Sequence, residues 1–340
     1  MKAGKVIAFA ALIVLGIYAV QTTGAEKPVK EALGDLAGKL GIVQTNTRET
    51  RGSGASDPTQ SIPEGAEESL PPFPSDVEIP ETQPPAPKES NSVLPTTIEG
   101  GMVISNDTSY ELDLGSLVAA GSSVKLASDG PQILIIHTHG SEAYTPDLAD
   151  KYDVSDSFRT QDSEHSVIRV GDELASCLES YGLSVIHDRN IYDYPSYTGS
   201  YERSGTAVKE YLAKYPSISV VFDVHRDSIG DGDVVYKTVA ESGGKPCSQL
   251  MMLVGTGENG LEHPNWKENL KFALALQSAV VAKYPSLPRP IALKKERYNQ
   301  HLTTGSLILE VGSSGNTLSE ALNAVRLFAD AIAPALKKMS

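Results

Sequence analysis

Apolar residues fall along this chain in two alternating patterns. Short continuous runs occur at Gln132–Ile136 (QILII), Leu183–Asp188 (LSVIHD), Ile218–Val224 (ISVVFDV), Gln249–Gly255 (QLMMLVG) and Ser306–Gly312 (SLILEVG). A run of that length without polar alternation fits a strand buried on both faces. Between them lie stretches of helical period. Ser166–Ser180 places Val167, Val170, Leu174 and Leu178 on one stripe; Ser200–Lys214, Trp266–Lys283 and Leu318–Lys337 also read as helices. Tyr-Pro pairs after Lys214 and after Lys283 mark two of the breaks. Strands alternating with helices predict an α/β fold, an open and mostly parallel sheet with helices on both faces. The stretch GMVISNDTSYELDLGSLVAA (101–120) adds a short strand or turn and a helical piece at its start.

The pattern is different before Ile98. Lys2 and Lys5 precede an apolar run from Val6 to Val20. Basic residues before an apolar segment orient the start of the chain toward the cytoplasm. The run has the length of a signal-peptide core and is short for a spanning helix, which needs roughly 17–25 residues. Residues 1–25 are read as an export segment, an uncleaved membrane anchor in preference to a cleaved signal, because TTGA is a poor cleavage site. This puts the remainder at the cell membrane on its extracytoplasmic side. Residues 26–97 form a juxtamembrane segment, amphipathic over Glu26–Val43, and then a Pro-, Ser- and Glu-rich linker. That composition offers too little apolar surface to offset the entropy of ordering. The folded domain is expected over 98–340.

Charge and cysteine content narrow the function. A formal net charge of -14 disfavours nucleic acid as a partner, since both would be polyanions. The two cysteines, Cys177 and Cys247, form neither a disulfide framework nor a CxxC zinc motif. There is no GxSxG elbow, and the GTGENG loop (255–260) lacks the Lys-Ser/Thr of a phosphate-binding loop.

Chemistry gathers where strands end, which is where open α/β sheets bind ligands. The first strand leads into HTHGSE, with His137, His139 and Glu142. The third ends in DVHRD, with Asp223, His225, Arg226 and Asp227, and the fifth carries Glu310. Catalytic zinc takes about three His or carboxylate ligands and keeps a position open for water. His139, Glu142 and His225 are the candidate ligands. Glu310, an acid inside an apolar strand, is the candidate base. Period two on a strand would place His137 on the face of His139, so His137 is either a further ligand or a packing residue. Arg226 and Asp227 either orient the ligands or form an ion pair. His165 and Glu164 open a helix within reach of this end. His187, His263 and His301 carry no signal beyond the ordinary.

The segments PQILIIHTHGSEAYTPD, FDVHRD and LILEVGSSGNT, with the long stretch between them, resemble the stage II sporulation protein P family from about Ile98 to the C-terminus. More distantly they resemble zinc-dependent N-acetylmuramoyl-L-alanine amidases. On that resemblance the GHGG histidine falls on His139, the SIHAN histidine on His225, and the catalytic glutamate on Glu310 with Asn316 as the trailing asparagine. The amidases' glutamate ligand would fall near Glu164, whereas Glu142 is nearer to His139 in sequence. The resemblance implies an amidase-like fold and a zinc (Zn2+) hydrolase acting on peptidoglycan in engulfment during sporulation. The expected activity is that of an N-acetylmuramoyl-L-alanine amidase, with endopeptidase activity also described for the family. It implies stage II sporulation proteins D and M as partners. Two other readings stay open: a zinc peptidase of another extracytoplasmic substrate, and a catalytically silent wall-binding module.

Overall fold

The protein is described by a computed structural model over residues 43–46, 103–153, 158–230, 234–242 and 244–340. The expected export segment over 1–25 and nearly all of the expected linker over 26–97 lie outside the described residues. No helix among the described residues is long and apolar enough to cross a membrane.

The strands are β1 Val43–Asn46, β2 Val103–Asn106, β3 Ile133–Ile136, β4 Val185–His187, β5 Val220–Asp227, β6 Ala240–Ser242, β7 Lys245–Cys247, β8 Leu250–Gly255, β9 Ile291–Lys294 and β10 Gly305–Ser313. The helices are α1 Leu114–Ala120, α2 Val167–Ser180, α3 Ser200–Lys214, α4 Trp266–Lys283 and α5 Leu318–Lys337. The main sheet has the order β1-β2-β9-β8-β10-β5-β3-β4, and β6 pairs with β7 apart from it. β1 lies inside the stretch expected as linker and pairs with β2 in parallel.

All neighbours in the main sheet run parallel except β8 and β10, which are antiparallel. The sheet is therefore two parallel halves joined at one antiparallel seam. This seam decides where chemistry can collect. The carboxyl ends of β3, β5 and β10 reach one rim, and those of β2, β8 and β9 reach the other.

Alternation along the strands feeds two cores. Ile133 and Ile135 of β3, Val220, Phe222 and Val224 of β5, and Leu307, Leu309 and Val311 of β10 face α2, α4 and α5. Leu134, Ile136 and Val221 face the opposite way and pack with Val208 of α3. Helices cover both faces, but unequally. Both faces being covered is why these strands are continuous apolar runs rather than alternating ones.

The helix boundaries follow their caps. The Ser166 side chain accepts from the Ile168 N–H at 3.2 Å and starts α2. Thr317 and Glu320 form a reciprocal capping box at α5. Both boundaries agree with the sequence pattern within a residue. β9 has no counterpart in that reading: its residues follow SLPRP, where prolines interrupt the apolar pattern.

Candidate metal centre

β3 ends at Ile136, and a turn begins at Thr138. The Glu142 N–H donates to the His139 carbonyl at 3.1 Å, closing the turn. This turn determines which histidine reaches the rim. His137 continues the direction of Ile133 and Ile135 toward the α2 side. It is wholly buried, with Nδ1 2.8 Å from the Val224 carbonyl and Nε2 2.8 Å from His187 Nε2. The carbonyl can only accept, so His137 Nδ1 carries the proton and Nε2 is left as an acceptor facing His187. Burial, followed by the neighbouring His187, pushes His137 down to about 3, so it stays neutral. Its role is packing, and the strand-period expectation that it shares a face with His139 fails because the strand has already ended.

The two rings leave no room for a side chain at Gly171 of α2. A Cβ there would lie 2.5 Å from His137 Nε2 and 2.5 Å from His187 Nε2. Gly171→Ala is expected to destabilise the fold by about 1–3 kcal/mol through overpacking, read as a lower midpoint in urea unfolding.

His139 is carried by the turn to the other side, where it meets Glu142 and His225. One ligand atom from each of these three residues lies within 4.8 Å of the others, and all three are buried. His139 Nδ1 is 3.4 Å from Glu142 Oε1, and His225 Nδ1 is 3.4 Å from Glu142 Oε2. The two rings stand nearly perpendicular, at 86°, with centroids 5.0 Å apart. His139 Nε2 lies 3.2 Å from Ser200 Oγ, and Tyr197 stacks on the same ring at 4.5 Å. His225 Nε2 lies 2.8 Å from Asp223 Oδ1, an ion-pair contact that falls outside hydrogen-bond alignment.

Charge in this group is balanced by position. Burial opposes the Glu142 charge, but His225, His139 and Arg226 outweigh it and hold the carboxyl well below the usual range. Burial likewise opposes a charged His225, and Asp223 and Glu142 together carry its pKa well above the ordinary value. A proton on His225 Nδ1 thus stands where a cation would sit. The donor set, two imidazole nitrogens around one buried carboxylate, suits zinc.

Glu310 of β10 lies in register with His225 of β5 on the neighbouring parallel strand. Directly opposite positions in parallel strands share a face, so the acid stands beside the cluster. Its Oε2 is buried without a hydrogen-bond partner. Burial, then repulsion from Asp227 and Glu142, pushes Glu310 up to about 8, against the pull of His225 and Arg289. The register shifts just beyond Glu310, where Gly312 takes φ +69°. A bulge of this kind re-aims the strand before it pairs again through Ser313 with Asp227, and the positive φ there suits glycine.

The remaining expectations separate cleanly. Glu164 is exposed and pairs with Arg189 at 3.1 Å, so Glu142 is the carboxylate in the cluster. His165 pairs with Asp150 and stacks on Tyr152. His263 and His301 lie together, 6.4 Å between centroids, and Gly257 just beyond β8 sits against His263 at the opposite rim. Arg226 and Asp227 do not pair with each other's side chains. Arg226 is buried; its N–H donates to Glu142 Oε2 at 3.1 Å and its Nε to the Ala143 carbonyl at 2.9 Å. Asp227 pairs with Arg289 at 2.6 Å. Asn316 folds the turn after β10, accepting from the Ser313 and Thr238 N–H groups at 3.1 Å each.

Arg159 gave no sequence signal. It lies 3.6 Å from Glu142 Oε1 and 2.5 Å from Asp193, and reaches the cluster because Glu142 and Arg159 form an isolated antiparallel bridge.

The profile of the stage II sporulation protein P family matches residues 53–333. Stage II sporulation protein P of Bacillus subtilis (strain 168) is 30% identical over 213 residues, covering 59% of this chain and 50% of that protein. The chain thus spans about half the length of this curated relative. Among solved structures, an N-acetylmuramoyl-L-alanine amidase of Nostoc punctiforme is similar at TM-score 0.36 and 15% identity, over 62% of this chain and 98% of that one. The catalytic domain of the N-acetylmuramoyl-L-alanine amidase CwlV from Bacillus (Paenibacillus) polymyxa var. colistinus is similar at TM-score 0.36 and 13% identity, over 61% of this chain and 97% of that one.

Proposed function

Because this chain belongs to the stage II sporulation protein P family, we propose that it is a zinc-dependent peptidoglycan hydrolase of sporulation, cleaving the amide between N-acetylmuramic acid and L-alanine. The observation that carries this reading is the buried His139–Glu142–His225 group with Glu310 in register beside it.

His139, Glu142 and His225 would hold the ion. When bound, zinc would polarise the scissile carbonyl and lower the pKa of a water at the site. Glu310 supports the other half of the reaction. Its unpartnered Oε2 takes the proton of the attacking water and delivers it to the departing nitrogen of L-alanine. Arg226 and Arg159 hold Glu142 in place, and Arg226 fastens the turn that carries it.

The reading extends to location and partners. The segment before the described domain would tether it at the membrane, outside the cytoplasm, where peptidoglycan lies. Stage II sporulation proteins D and M are the proposed partners.

Mixing the purified protein with peptidoglycan sacculi and zinc, followed by mass spectrometry, tests the assignment. Free stem peptides beginning with L-alanine are expected. Shortened cross-links alone would instead mark a peptidase, and binding without products would mark a wall-binding module.

A further inference from the structure

We propose that Asp223 is the positioning residue that sets both imidazoles of the cluster, one carboxylate shared between the ends of β3 and β5. The proposal rests on the metal reading above and adds to it a residue outside the ligand set.

The position is unusual on physical grounds. Asp223 is only 7% exposed, and a buried carboxylate is costly unless its oxygens are met by donors. Both are met. Oδ1 lies 2.8 Å from His225 Nε2 and accepts the Thr138 N–H at 2.8 Å. Oδ2 accepts the Thr138 hydroxyl at 2.6 Å, and Thr138 Oγ1 is in turn 2.7 Å from Ser204 Oγ on α3. These contacts outweigh burial and hold the carboxyl low.

Two registers explain why one side chain reaches both histidines. Asp223 precedes His225 by two residues on β5, so the two share a face. Across the sheet it is paired with Ile136, the last residue of β3. Thr138, one residue before His139, is therefore within its reach. Asp223 thus fixes the start of the turn that delivers His139 and lies against the ring of His225.

The contact also selects a nitrogen. With Nε2 held 2.8 Å from Asp223 Oδ1, His225 offers Nδ1 toward Glu142 as the donor to a cation. A carboxylate behind a ligand histidine holds its tautomer and raises its basicity.

Asparagine separates charge from shape at this position. Its Oδ1 can accept the Thr138 N–H and remain against His225 Nε2, and its Nδ2 can donate to Thr138 Oγ1, whose hydroxyl then donates to Ser204. Asp223→Asn is therefore expected to fold as the parent does.

The test is zinc affinity of the full chain, measured by competition with a chromogenic chelator. The wild type, Asp223→Asn and Asp223→Ala are compared, with circular dichroism as the check on folding. Asp223→Asn is expected to bind zinc about 10–100-fold more weakly at unchanged structure. In the zinc-loaded wild type, ring 15N shifts should show His225 coordinated through Nδ1 with Nε2 protonated. Asp223→Asn binding zinc within twofold of wild type overturns the proposal, as does coordination of His225 through Nε2. A wild type that binds no zinc overturns the metal reading itself, and this proposal with it. If Asp223→Ala fails to fold, the Asn variant decides.

Discussion

Glu310→Gln is expected to lower peptidoglycan hydrolysis by about 10²–10⁴-fold, the usual contribution of a positioned general base, while leaving zinc content unchanged. The substitution keeps the volume and removes only the ability to take a proton. Glu310 is not among the three residues that gather as ligands, so the metal should remain. A second readout distinguishes a lost base from a damaged fold. In the metal-free protein the Glu310 carboxyl is pushed up to about 8 by burial and by Asp227 and Glu142, so ionising it at higher pH costs stability. The amide carries no such cost. At pH 8–9 the variant should melt no lower than wild type, and higher when zinc is absent. The acid limb of the wild-type rate profile, where Glu310 takes up its proton, should vanish in the variant's residual activity. Full turnover by Glu310→Gln would sink the base assignment.

His225→Ala is expected to cost about 10²–10³-fold in zinc affinity, because roughly 10–16 kcal/mol of apparent binding energy is shared among about four ligands. Hydrolysis should fall to background with it. His139→Ala should behave alike, whereas Glu164→Ala should not, since Glu164 is paired on the surface with Arg189. Equilibrium dialysis against limiting zinc separates these outcomes. Retention of stoichiometric zinc by His225→Ala would dissolve the proposed centre.

The same group sets a pH dependence for the metal-free protein. His225 has its folded pKa raised by two carboxylates, so its contribution is complete below about 6.5 and is lost as pH rises through the raised value. Glu310, also raised, binds its proton more tightly folded than unfolded between 4.5 and about 8, so it too loses stability as pH rises through that window. Glu142 and Asp223 are lowered and act in the opposite sense, losing their contribution only as pH falls through the ordinary carboxylate range and below it. Without metal, maximal stability is therefore expected on the mildly acidic side. The melting temperature should drop by roughly 5–10 °C toward pH 9, and added zinc should restore most of it.

Much of this architecture is legible in the sequence, because burial on both faces writes itself as unbroken apolar runs and helix ends write themselves as caps. QILII, ISVVFDV and SLILEVG are recognisable as strands, and Glu310 stands out as an acid within one of them. Asp223, two residues before His225 on a strand, also carried a readable signal, since period two alone puts them on one face. Three features depended on tertiary structure. The antiparallel seam between β8 and β10 leaves no local trace, because strand direction is a property of the pairing and not of either strand. The choice of Glu142 over Glu164 follows from a chain reversal that bridges Glu142 to Arg159 and leaves Glu164 outside. The separation of His137 from His139 arises because β3 stops at Ile136. Side-chain alternation holds only while the backbone stays extended, so the turn after Ile136 sends one imidazole into the core and the other to the rim.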